Sequence, residues 1–179
     1  MSFQSLGEHD LHAWRSFRLV EAEFTSPDGS RFDRTFLRHP GAAAIVPLDG
    51  DDVVFVRQFR PALGTSLLEV PAGTLDRPGE EPLACAVREL NEEIGAVARE
   101  WVHLASYAVA PGVSDERLHL YLATGLTFGA TSGDGIEEQS MTIERLTLAD
   151  AVAACTDGRL QDAKSIIGVL LAARRLSVS

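Results

Sequence analysis

The sequence predicts an α/β chain of the α+β kind: a mixed β-sheet sandwiched between helices, carrying an N-terminal antiparallel β appendage. Three observations predict it. Strand-like runs and helical repeats intermingle without regular βαβ alternation, which argues against a doubly wound parallel sheet. Two strand-like runs flank Ser26-Pro27-Asp28-Gly29, a strong hairpin signal near the start of the chain. Two helical patterns then close it. With 179 residues there is room for one compact domain and a small appendage.

Taken in order, "WRSFRLVEAEFTSPDGSRFDRTFLRHPG" forms the opening hairpin, which has few core residues of its own and must lie against something else. The division expected is therefore residues 1–40 as a β-rich segment that packs across a partner subunit, and 41–179 as the main domain. Ala42 to Leu48 and Val53 to Phe59 are strands joined by Asp49-Gly50-Asp51-Asp52, and Leu67 to Val70 is a short strand running into Pro71-Ala72-Gly73. A helix follows, with Pro82 in its first turn, Glu80 and Glu81 at its positive end and Gly95 at its stop. Leu83, Val87, Leu90 and Ile94 form its apolar stripe. Strands are expected at Trp101 to Ala108, Leu118 to Ala123 and Met141 to Leu146, with a mobile loop at Thr127 to Gly135. Helices at Leu148 to Cys155 and Asp162 to Leu176 end the chain, the last burying Ile166, Ile167, Leu170 and Leu171.

Composition narrows the function. A net charge of −10 argues against a nucleic-acid surface, which needs clustered Lys and Arg. An anionic substrate would need cations or a few placed arginines to offset repulsion. Cys85 and Cys155 lack zinc-ligand spacing and read as small hydrophobes in a reducing, cytoplasmic setting. No signal peptide and no membrane span are expected.

The stretch "GTLDRPGEEPLACAVRELNEEIGA" concentrates carboxylates at helical spacing, where like charges repel. Two readings compete. One is a solvated, charged helix face. The other is a metal site: Glu89 and Glu93 lie about 40° apart around the helix and about 6 Å apart along it, close enough to share a hard divalent cation. Glu92 points elsewhere, within i,i+4 reach of Arg88. A backbone carbonyl of the preceding loop, such as that of Ala72, can face the same cation.

The stretch resembles the Nudix box, G-x5-E-x7-R-E-U-x-E-E-x-G-U, where U is apolar. Gly73, Glu80, Arg88, Glu89, Leu90, Glu92, Glu93, Gly95 and Ala96 take its fixed places. Six residues, not five, separate Gly73 from Glu80, and Arg77-Pro78-Gly79 is expected to absorb the extra one. Outside the box, Arg57-Gln58-Phe59-Arg60 and Pro111, sixteen residues past Gly95, resemble the ADP-ribose pyrophosphatase branch of the family.

That resemblance implies a Nudix fold and hydrolysis of ADP-ribose to AMP and ribose 5-phosphate with Mg²⁺, or Mn²⁺. The alternatives are another nucleoside diphosphate sugar, such as a GDP- or UDP-hexose, or a non-catalytic domain that senses a nucleotide. It implies Glu89, Glu93 and the Ala72 carbonyl as metal ligands, with Glu92 as a further ligand or acting through water. Gly73, Glu80 and Arg88 would support the site. In "GDGIEEQSM", Glu138 is the first choice of general base and Glu137 the second, and Glu93 is counted with them as catalytic. Arg60, Arg34 and Arg57 are candidates to clamp phosphate or ribose, because a guanidinium matches phosphate oxygens in a fork. Trp14 and Phe32 are candidates to sandwich an adenine. Members of this branch are commonly homodimers with the N-terminal part at the interface, often helping to build the neighbour's substrate site, so a homodimer is expected with residues 1–40 as its dimerisation and substrate segment, and with neither nucleic-acid nor membrane partners.

Overall fold

The computed structural model describes residues 2–130 and 140–177. The chain divides into two compact units, residues 1–41 with 107–118, and residues 42–106 with 119–179.

The first unit is a three-stranded antiparallel sheet in the order β1-β2-β3. β2 (Phe17–Thr25) and β3 (Arg31–Arg38) are the expected hairpin, closed by the turn at Pro27-Asp28-Gly29. β1 (Gln4–Trp14) pairs with β2 and was not expected. Its sequence, QSLGEHDLHAW, has too few apolar residues to signal a strand, and it is exposed throughout. Residues 107–118 join this unit through backbone bonds: the Leu37 N–H donates to the Val113 carbonyl (2.9 Å), and the Asp115 N–H to the Leu37 carbonyl (3.2 Å). Sequence reading placed that segment in the other part of the chain, because these pairings are non-local.

The second unit is built on a seven-stranded sheet of β4 (Ala42–Asp49), β5 (Asp52–Arg60), β6 (Thr65–Glu69), β7 (Ala72–Thr74), β8 (Ala96–Ala108), β9 (Arg117–Phe128) and β10 (Thr142–Thr147). The main order is β10-β5-β4-β9-β8, with β6 on β5 and β7 on β4. Alternation along the strands assigns each face a helix. Ala43, Ile45, Val54, Val56, Tyr121 and Ala123 pack with Cys85, Ala86, Leu90 and Ile94 of α1 (Pro82–Ile94). On the other face, Gly168 of α3 (Ala163–Ser177) lies so close to Val46 and Leu120 that a Cβ would sit 2.8 Å from Val46 Cγ2. α2 (Leu148–Asp157) precedes α3, its first turn capped by the Thr147 hydroxyl.

Two helix faces differ from expectation. On α3 the fully buried residues are Ser165, Gly168, Val169 and Ala172, while Leu170 is exposed and Ile166, Ile167 and Leu171 are half-buried. Small residues win because the helix approaches the sheet too closely for larger ones. On α1, Leu83 and Val87 are 42% and 44% exposed, and the buried face comprises Cys85, Ala86, Glu89, Leu90, Glu93 and Ile94. The helix is rotated so that two glutamates are buried and two aliphatics are not. Thr127 and Phe128 extend β9, and residues 131–135 of the expected loop lie outside the described residues.

Candidate active site

The site starts from two carboxylates taken out of water. Glu89 and Glu93 are each only 8% exposed. Isolated buried carboxylates are costly, so something must make the arrangement tolerable. For Glu93, the proton does so: burial first, then the nearby charge of Glu89, raises its pKa to about 8. Its Oε2 accepts the Ala72 N–H at 3.1 Å. Glu89 Oε1 accepts from Arg88 Nη1 at 2.5 Å.

The β7 backbone is shaped to this pair. The Ile45 N–H donates to the Pro71 carbonyl (2.9 Å), so the next pair in register, Ala44 with Ala72, is one that exchanges no ladder bonds. Ala72 therefore turns its N–H away from β4 to Glu93, and the pleat turns its carbonyl to that same side. At Gly73, a Cβ would collide with the Glu89 carboxylate. Only glycine lets that carboxylate lie against the strand.

Arg88 organises the remaining acids. Its Nε and Nη2 grip the two oxygens of Glu80 at 2.9 and 3.0 Å, and its Nη1 reaches Glu92 Oε2 at 2.9 Å. Asp76 stands 3.7 Å away. The Glu80 carboxyl is held below its ordinary pKa chiefly by this bond, and Arg88 is correspondingly raised. Cys85 beneath it is pushed up to about 12 by burial, and acts as an apolar filler. Glu92 also accepts from Arg77 at 3.2 Å, so it belongs to the arginine cluster in this state.

A hard divalent cation fits this donor set. Glu89 lies against Gly73 and Glu93 against Ala72, so both carboxylates border the same stretch of β7, and a cation there would replace the proton that Glu93 otherwise holds. Glu89, Glu93 and the Ala72 carbonyl are the residues that would hold it.

The NUDIX domain family matches residues 37–166. The chain belongs to the Nudix family. An ADP-ribose pyrophosphatase of Mycobacterium tuberculosis is 37% identical, over 94% of this chain and 82% of its own. A methanol dehydrogenase activator of Bacillus methanolicus is 33% identical, over 93% and 90%. A GDP-mannose pyrophosphatase of Klebsiella pneumoniae is 30% identical, over 86% and 82%. A solved structure described as an ADP compounds hydrolase has the same fold, with a TM-score of 0.87 at 23% identity, covering 99% of this chain and 96% of that one.

The extra residue of this Nudix box is taken up in a turn. The Glu80 N–H donates to the Arg77 carbonyl (3.0 Å), with Pro78 and Gly79 at the corner and Gly79 at φ 73°. A Pro-Gly corner of that sign is a type II turn, open to glycine and closed to most other residues. Glu80 thus sits before the helix, outside its first turn, and from there reaches Arg88.

The arginine and aromatic candidates fall in different places. Arg60 is bidentate on Glu69, at 2.7 and 2.7 Å, beside the Glu93 end of the site. Arg57 is engaged with Glu144 of β10, at 2.5 and 3.2 Å, as a surface ion pair. Arg34 lies over the Phe32 ring (4.8 Å), in the first unit. There, Phe32, Arg34, Phe3, Phe24, Phe36 and Pro111 line a cavity of about 570 Å³. The adenine sandwich between Trp14 and Phe32 is corrected by the strand register. Trp14 pairs with Phe17 and Phe32 with Phe24, so seven residues of β2 separate them, about 23 Å. One subunit cannot close both rings on one base. Trp14 instead stacks on His12 and Phe17. Glu137 and Glu138 lie outside the described residues.

Sequence reading missed the group behind the site: Glu69, Lys164, Asp162 and Ser165. Glu69 is 2% exposed; burial alone would raise its pKa, yet Arg60 and Lys164 bring it below its ordinary value. The signals were present. Glu69 sits between Leu68 and Val70 in a short apolar strand, and "DAKS" places an aspartate at the N-cap three residues before a serine.

Proposed function

We propose that this Nudix hydrolase cleaves the diphosphate of ADP-ribose, giving AMP and ribose 5-phosphate, with Mg²⁺ as its cation and Mn²⁺ as a substitute. The observation that carries the reading is the buried Glu89 and Glu93 pair facing the Ala72 strand, in a chain related over nearly its whole length to an ADP-ribose pyrophosphatase.

The cation would polarise phosphoryl oxygens and lower the pKa of a bound water. The chain's own residues do the rest. Glu89, Glu93 and the Ala72 carbonyl bind that cation, and the Glu80–Arg88 pair holds Glu89 in place. Glu138, with Glu137 as second choice, accepts the proton of the attacking water. Arg60 adds positive potential toward the phosphates from its seat on Glu69. The aromatic cavity at Phe32 and Arg34 suits a flat base, because rings stack and a guanidinium favours a π-face.

A homodimer through the N-terminal segment is part of the proposal. β1 is exposed along its length, with Phe3, Leu6, Leu11 and Trp14 among the exposed apolar residues of the unit. Cytoplasmic residence is also proposed: Cys85 and Cys155 are both free thiols. Among the described residues no helix is long and apolar enough to cross a membrane.

A substrate panel tests the reading. ADP-ribose, GDP-mannose and UDP-glucose are incubated with Mg²⁺, and the products are separated by chromatography. ADP-ribose should be turned over fastest, yielding AMP; faster turnover of a hexose derivative would move the assignment to that nucleotide sugar. No turnover of any would favour a nucleotide sensor.

A further inference from the structure

We propose that the first turn of α3 is a brace for the cation site, with Ser165 as a positioning residue that sets the Ala72 arm. The inference rests on the reading that Glu89, Glu93 and the Ala72 carbonyl hold a divalent cation.

Ser165 is fully buried. A serine hydroxyl has one proton to give. Here it goes to Asp162 Oδ2 (2.5 Å), which also accepts the Ser165 backbone N–H (3.0 Å) as an N-cap. With its proton committed, Ser165 Oγ presents a lone pair, and that lone pair accepts the Val70 N–H at 2.8 Å. Val70 stands two residues before Ala72.

The neighbouring anchors show why this bond sets position. Four consecutive residues are fixed from four different elements. Glu69 is gripped by Arg60 of β5 and by Lys164, which also reaches Asp162 at 3.1 Å. Val70 is held by Ser165 of α3, the Pro71 carbonyl by Ile45 of β4, and the Ala72 N–H by Glu93 of α1. A segment held at every residue has no slack, so the direction of the Ala72 carbonyl follows from the anchors. Among the four, Ser165 supplies the only hydroxyl acceptor. Removing it frees the segment without unpairing a charge.

The test is a calorimetric titration with Mn²⁺ alone, alongside a thermal melt of each protein. Ser165→Ala keeps a good helix former and removes the acceptor. Partners behind a metal's ligands typically contribute about 10–100-fold in affinity, so Ser165→Ala should weaken Mn²⁺ binding about 10-fold while still melting cooperatively. Ser165→Thr, which keeps the hydroxyl, should restore most of that loss. Asp162→Ala, which releases the hydroxyl proton but leaves Ser165 in place, should weaken binding less than Ser165→Ala. Wild-type Mn²⁺ affinity in both Ser165→Ala and Asp162→Ala, even with lowered melting temperatures, would overturn the brace and leave these residues a purely structural role. Failure of the wild type itself to bind Mn²⁺ would instead overturn the cation-site reading beneath it.

Discussion

The N-terminal sheet and the candidate site of the second unit handle charge in opposite ways. On the N-terminal sheet, ion pairs are exposed: Arg31 with Glu23 and Arg18 with Asp10 span neighbouring strands with both partners in water. Around the candidate site, charge is buried. Glu69 is pinned between Arg60 and Lys164, Arg88 gathers Glu80, Glu89 and Glu92, and Glu93 is left to hold a proton. Exposed pairs contribute little, because water competes with them at small cost. Buried pairs contribute little net stability either, but removing one partner leaves the other stranded. The first arrangement tolerates change; the second constrains geometry, which is what an active site needs.

The largest break of that contrast should come at Glu69. Glu69→Leu strands Arg60 and Lys164 without their shared carboxylate, and should destabilise the protein by about 3–5 kcal/mol in urea denaturation. Next comes Gly73→Ala. The atoms nearest the new Cβ all belong to the Glu89 side chain and none to backbone, so the fold should persist with a near-normal melting temperature. Hydrolysis should nonetheless fall by about 100-fold, within the range for a displaced catalytic group.

A pH effect of intermediate size follows from Glu93. Its folded pKa, about 8, lies above the ordinary 4.5, so the native state binds the extra proton. The stability contributed is fully present below pH 4.5 and is lost as the pH rises through 8. The metal-free protein should therefore melt at lower temperature in EDTA as the pH rises from 5 to 9, and Glu93→Gln should flatten that slope. The smallest effect belongs to the first unit. Arg31→Ala should change stability by less than about 1 kcal/mol, and a larger loss would erase the contrast between the units.

Much of this was legible in the sequence, for physical reasons that differ by element. The carboxylate helix, its proline start and its glycine stop are local, and their spacing placed the strand–turn–helix frame, while the supporting role of Glu80 and Arg88 came from the resemblance to the Nudix box. Which face of that helix is buried was not local. Counting apolar residues favoured Leu83 and Val87, whereas the sheet selected Cys85 and Ala86, whose small size brings Glu89 and Glu93 inward. β1 was hidden because an exposed strand need not alternate. The separation of Trp14 from Phe32 was hidden because it depends on register. The Asp162 cap was readable as a helix start, but its link through Ser165 to Val70 joins positions 95 residues apart.

In the proposed function, the buried Glu89 and Glu93 pair is a cation site whose proton is exchanged for metal. Calorimetric titration with Mn²⁺ at pH 7, in two buffers of different ionisation enthalpy, measures both binding and proton release. The wild type should release close to one proton per cation bound, because a carboxyl of pKa about 8 is mostly protonated at that pH, and Glu93→Gln should lose binding. Unchanged Mn²⁺ affinity in Glu93→Gln would rule out Glu93 as a ligand of that cation.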